Sequence, residues 1–94
     1  MHIITQQRIW EAKGKYPQVS QALDGWYRVM KKNHFNNFAE LKKSFNSVDK
    51  VKNAYVFDIG GNKLRLIANI HFQRQKVYIR YILTHKEYDK SNWK

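Results

Sequence analysis

The sequence predicts an α+β fold, with N-terminal helices packed on one face of an antiparallel β-sheet. Two observations lead there. Apolar residues recur at helical spacing until about residue 45, and from Ala54 onward the period changes to two. A single Pro, four Gly and no repeat or low-complexity stretch leave no room for a long linker, so residues 1–94 are expected to form one domain.

Taken in order, Ile3-Ile4 suggests a short first strand, with Thr5 as N-cap of a brief helix through Ile9, Trp10 and Ala12. Pro17 suits the first turn of the next helix, where its missing N–H costs nothing. Val19, Ala22, Leu23, Trp26, Tyr27 and Met30 then form a one-sided stripe. Asn37 followed three residues later by Glu40 has the form of a capping box, opening a third helix that carries Phe38, Leu41 and Phe45.

The runs Ala54–Ile59, Leu64–Phe72 and Val77–Thr84 are β-rich, and the turn signals Gly60-Gly61-Asn62-Lys63 and Gln73-Arg74-Gln75-Lys76 separate them. Two consecutive hairpins make a meander. With Phe72 set opposite Val77, one face carries Leu64, Leu66, Ala68, Ile70, Phe72, Val77, Ile79, Tyr81 and Leu83, and is expected to meet the helices. The other face then carries Arg65, Ile67, Asn69, His71, Tyr78, Arg80, Ile82 and Thr84. In this register Arg65 lies opposite Thr84 on one side and Asp58 on the other.

Charge bounds the function. Eighteen Lys and Arg against seven Asp and Glu give a formal +11 on 94 residues. Such an excess raises self-repulsion, and polyanion binding is its usual reason. The basic residues are spread along the chain instead of edging one amphipathic helix, which argues against a membrane-surface role. No apolar run approaches the roughly 18 residues of a membrane span, and no signal-peptide stretch follows Met1. With no Cys there is neither a disulfide framework nor a thiolate metal site, which suits a cytoplasmic setting. The four His lack metal-ligand spacing, and no cofactor is expected.

Chemistry concentrates in Thr84-His85-Lys86-Glu87-Tyr88-Asp89. An imidazole is the side chain whose ordinary titration lies nearest neutrality. Metal-independent RNA cleavage needs a base for the 2′-hydroxyl, an acid for the 5′-oxygen and positive charge at the phosphorane. His85 is the candidate acid or base, Tyr88 a hydrogen-bonding or acid group, and Arg65 the electrostatic clamp. Lys63, Lys76, Tyr78, Arg80 and Lys86 are the candidate RNA-binding residues. On the residues alone, these charges read equally well as a solvated C-terminal turn, with Arg65 merely paired to Asp58.

The run Tyr55–Ala68 with its Gly61-Asn62-Lys63-Leu64-Arg65-Leu66 segment, then Tyr78-Ile79-Arg80 and Thr84–Asp89, resembles the HigB family of the RelE-like superfamily. Ala22-Leu23-Asp24-Gly25-Trp26-Tyr27 and Phe38-Ala39-Glu40-Leu41-Lys42 are similar to family segments in order and spacing. Lys86 departs from the small residue often found there. The resemblance implies a microbial-ribonuclease-like fold and an endoribonuclease (mRNA interferase) that cuts translated mRNA on the ribosome and arrests growth. It also implies neutralisation by a helix-turn-helix, HigA-like antitoxin. Arg65 falls where the superfamily keeps a phosphate-binding Arg, and His85 and Tyr88 where it keeps its acid–base group. The competing expectation is a non-catalytic RNA- or ribosome-binding module with the same basic face.

Overall fold

The computed structural model describes residues 1–61, 63–90 and 93. Strand β1 (His2–Ile4) leads into α1 (Gln7–Lys15), then a 3-10 turn (Pro17–Val19) feeds α2 (Ser20–Lys32), and α3 (Phe38–Ser44) follows. The sheet strands β2 (Asp49–Val51), β3 (Ala54–Ile59), β4 (Leu64–His71) and β5 (Lys76–Thr84) come next, and α4 (His85–Lys90) closes the chain. The sheet order is β1-β5-β4-β3-β2. The α+β class and the meander hold, but the sheet is mixed, because β1 pairs in parallel with β5. That pairing joins residues some seventy positions apart, which local patterning does not encode. The edge strand β2 was also not foreseen, since Asp49-Lys50-Val51 has almost no apolar signature of its own.

The helical stripe behaves as its period demands. Leu23, Trp26 and Met30 of α2 and Leu41 of α3 are buried against Phe57, Leu64, Leu66, Ala68, Val77 and Ile79 of the sheet. Each fully buried side chain of this size contributes about 1.5–3 kcal/mol relative to leaving it exposed. Asn37 caps α3 as expected, its Oδ1 accepting from Glu40 N–H at 3.0 Å. The returning carboxylate is shifted by one residue, with Glu40 Oε1 accepting from Asn36 N–H at 2.8 Å. Thr5 does not cap α1. It holds φ +65°, costly for a β-branched residue, and its hydroxyl instead pairs with both backbone groups of Ile79, at 2.8 and 2.9 Å. Those two bonds hold the chain where it leaves β1.

The β4–β5 register differs from the expectation in two ways. His71 faces Lys76, so the turn spans 72–75; Gln75, at φ +53°, ties it by donating from Nε2 to the Phe72 and Phe35 carbonyls at 2.6 and 2.7 Å. More consequentially, a β-bulge opposite Ile67/Ala68 inserts Arg80 as an extra residue, with Ala68 facing Ile79 and Ile67 facing Tyr81. One inserted residue flips every later side chain to the other face. Tyr81 and Leu83 therefore leave the helix-packed face, while Ile82 joins the main core and Thr84 pairs with Leu64. Arg65 consequently faces Leu83, not Thr84. The Asp58–Arg65 rung of the β3–β4 hairpin lies where it was expected. Asn62 of the connecting turn falls outside the described residues.

Because of the flip, the second face of the sheet is only partly polar. Ala54, Val56 and Ile67 are buried there beneath Val51, Tyr81, Leu83, Tyr88 and Trp93. This second cluster seats α4 against the face that bears Arg65.

Candidate active site

α4 starts where it does because of a reciprocal capping box. Thr84 Oγ1 accepts from Glu87 N–H at 3.1 Å, and Glu87 Oε1 accepts from Thr84 N–H at 2.8 Å. The Thr84 N–H holds the Glu87 carboxyl below the usual carboxylate range, against a smaller opposing effect of burial. The box fixes the phase of the helix, so that His85 and Tyr88, three positions apart, lie on the side turned to β4.

Arg65 is the hub. It projects from β4 with a side chain only 12% exposed, and its Nη1 lies 3.0 Å from Asp58 Oδ1 on β3. That contact is an ion pair whose N–H is not aligned as a hydrogen bond. On the other side, Arg65 Nη2 lies 3.0 Å from His85 Nδ1, and the guanidinium carbon stands 5.7 Å from the centre of the Tyr88 ring. A guanidinium has donors and no acceptor, so His85 Nδ1 carries the lone pair and Nε2 carries the proton. His85 Nε2 in turn lies 3.4 Å from Asp89 Oδ2, one helical turn on. The imidazole is thus held between a cation and a carboxylate while remaining 56% exposed.

Tyr88 is half-buried against the second cluster, its ring 5.4 Å from that of Trp93. Burial pushes its phenol above the ordinary tyrosine range, partly offset by the Arg65 guanidinium and reinforced by Asp49, Asp89 and Asp58. Tyr88 is therefore a neutral hydroxyl near pH 7, able to donate or accept a hydrogen bond but a poor base.

The structure brings Arg65, His85 and Tyr88 together and adds Asp58 and Asp89 as their supports. The remaining candidates spread out along the same face. Lys63 lies at the near end, one residue from the Leu64–Thr84 rung, and Lys86 is exposed on α4. Tyr78 pairs with Asn69 further along, and Arg80 occupies the bulge. Lys76 is at the far end of β5, eight residues from Thr84, or about 26 Å away. It shares no site with His85. Asp89 had a visible signal, a carboxylate four residues after a histidine. The Thr84-x-x-Glu87 box was visible too, though its charges first read as chemistry, not as a helix start.

The model of the HigB toxin family, the RelE-like toxic component of a toxin–antitoxin system, matches residues 19–91. The chain belongs to the HigB toxin family. An mRNA interferase toxin HigB of Escherichia coli K12 is 44% identical over 95% of this chain and 88% of its own length. The mRNA interferase HigB of Shigella flexneri gives the same figures. That of Escherichia coli O6:H1 is 40% identical over 96% of this chain and 90% of its own. Family membership makes an antitoxin the implied partner of this HigB-family chain. Among the described residues, no helix is long and apolar enough to cross a membrane.

Proposed function

We propose that this toxin is an endoribonuclease that cleaves mRNA by attack of a 2′-hydroxyl on the adjacent phosphodiester, leaving a 2′,3′-cyclic phosphate and a free 5′-hydroxyl. The contact between Arg65 Nη2 and His85 Nδ1, 3.0 Å, carries this reading. It places a phosphate-seeking guanidinium and a lone-pair-bearing imidazole nitrogen within one hydrogen bond of each other. A scissile phosphate seated on Arg65 draws Nη2 toward its own oxygens and releases Nδ1 to take the 2′-hydroxyl proton. Asp89 stabilises the ring as it becomes doubly protonated, and the same imidazolium can return a proton to the departing 5′-oxygen. Arg65 stabilises the charge building on the phosphorane, in a site where Asp58 fixes its direction. Tyr88, kept neutral, hydrogen-bonds and orients the phosphate.

The relatives' name, mRNA interferase, and the +11 charge both support an mRNA substrate. The domain is taken to run from 1 to 94, acting in the cytoplasm, on translated message at the ribosome, and restrained by a HigA-like helix-turn-helix antitoxin. Expression of wild type and His85→Ala, with mRNA 5′ ends mapped, tests the enzymatic reading. New ends with wild type alone support it. Growth arrest by both proteins without new ends marks a non-catalytic RNA- or ribosome-binding module instead.

A further inference from the structure

We infer that the cleft between Asn69, Tyr78 and Arg80 is a base-recognition subsite that prefers guanine, about two nucleotides from the cleaved bond; this rests on the cleavage proposed above. The cleft has a volume of about 440 Å³ and lies on the same sheet face as Arg65, walled by Asn53, Asn69, Ile70, His71, Tyr78 and Arg80. Asn69 is four residues beyond Arg65 on β4, or about 13 Å, about two nucleotides of extended single strand.

Arg80 stands at the bulge of the β4–β5 pair, on the same face as Tyr78, and presents an exposed guanidinium to the cleft. Arg80 Nη1 donates to Asn69 Oδ1 at 3.0 Å, and Asn69 Nδ2 donates to the Asn53 carbonyl at 2.8 Å. The Asn69 amide is thereby fixed in orientation and spent on aiming Arg80. The contrast with Arg65 is informative. Arg65 has Asp58 beside it to fix its direction, whereas among the described residues no carboxylate pairs with Arg80. An oriented, unneutralised fork of donors seeks a pair of acceptors.

Phosphate and the Hoogsteen edge of guanine both offer such a pair. The rest of the cleft favours the base. Tyr78 meets His71 edge to face at 5.4 Å, leaving a flat aromatic wall beside Ile70 on which a nucleobase can stack. A phosphate has no use for that wall. Guanine presents O6 and N7 as adjacent acceptors, matching a guanidinium, while adenine places an amino donor beside N7 and meets the fork donor to donor.

The test maps cut sites on a transcript pool in a translation extract for wild type, Arg80→Lys and Asn69→Ala. Wild type is expected to show guanine favoured by about tenfold over adenine at one fixed position about two nucleotides from the cut, in line with a good bidentate pair. Arg80→Lys keeps the charge but removes the fork, so the guanine-to-adenine ratio falls toward one. Asn69→Ala lowers the same ratio by loosening the aim. A wild-type cut pattern without a guanine preference, or a preference that survives Arg80→Lys, overturns the subsite. So does an Arg80→Lys defect that is equal for all bases, which marks a phosphate contact. Fluorescence anisotropy with oligoadenylates carrying one guanine or one 7-deazaguanine separates this from the activity itself. Tighter binding of the guanine oligomer without any cleavage sinks the enzymatic reading and keeps the subsite, and equal binding with cleavage does the reverse.

Discussion

Replacing Arg65 by Ala removes three contacts at once: the 3.0 Å ion pair to Asp58, the 3.0 Å bond to His85 and the packing over Tyr88. Two separable losses follow. For catalysis, deleting one electrostatic group aimed at developing charge costs about 10²–10³ in rate, roughly 2.7–4 kcal/mol. For stability, the pair lies between two regimes. Exposed ion pairs contribute at most about 1 kcal/mol, and breaking a buried one costs about 3–5 kcal/mol. With Arg65 12% and Asp58 30% exposed, solvent screens part of the interaction, and about 1.5–2 kcal/mol is expected. At about 4–8 °C per kcal/mol for a chain of this size, Tm falls on the order of 10 °C. Single-turnover cleavage at 25 °C, paired with thermal denaturation by circular dichroism, measures both. Asp58→Asn is the control, since it weakens the same pair but leaves the guanidinium; it is expected to lower Tm comparably with a much smaller rate loss. A folded Arg65→Ala protein that cleaves like wild type would falsify the clamp. Equal rate losses in the two variants show that the damage comes from the disturbed hairpin.

Three further outcomes follow from the same geometry. In single-turnover assays, His85→Ala is expected to lose about 10²–10⁴-fold and Tyr88→Phe distinctly less, because the phenol is neutral and only orients; the reverse ranking reassigns the proton transfer. Glu87 has a lowered folded pKa, so its stabilisation of α4 is present above the ordinary Glu value and is lost as pH falls through the folded value; Glu87→Gln should abolish that acid-side step in a pH series of Tm, whereas Thr84→Ala, which keeps the backbone N–H to Glu87, should cost about 1 kcal/mol and leave most of the step in place, and a step unchanged in Glu87→Gln removes the carboxylate from the capping box. Gly60 holds φ +67°, and a Cβ there would stand 2.7 Å from Val19 Cγ1, so Gly60→Ala should destabilise by about 1–3 kcal/mol; a Tm equal to wild type contradicts the close approach of the turn to the helical layer.

Much of this architecture was legible because it is written in local periods. The α2 stripe and the Asp58–Arg65 rung rest on spacings of 3.6 and 2 and on a Gly-marked hairpin. The bulge at Arg80 was not legible, as no Gly or Pro marks it, and one uncounted residue exchanged Tyr81 and Leu83 for Ile82 and Thr84 between faces. That exchange also hid the second apolar cluster, and with it the reason α4 packs where Arg65 can reach His85. The residues of the proposed site were visible as chemistry-bearing types, but their convergence depends on where α4 begins, which the Thr84–Glu87 box sets. Lys76, whose charge suggested RNA contact, stands at the far end of β5 from His85, so strand length sets it apart from the proposed catalytic residues.

If a 2′-hydroxyl is the nucleophile and His85, poised on Arg65, accepts its proton, cleavage depends on that hydroxyl. The most direct measurement gives the wild-type protein a translated message bearing a single 2′-deoxynucleotide at a mapped cut site, with the unmodified message in parallel. The unmodified site is expected to yield a 2′,3′-cyclic phosphate end and the deoxy site to stay intact. Cleavage of the deoxy site at an undiminished rate, with a linear phosphate end, contradicts that mechanism.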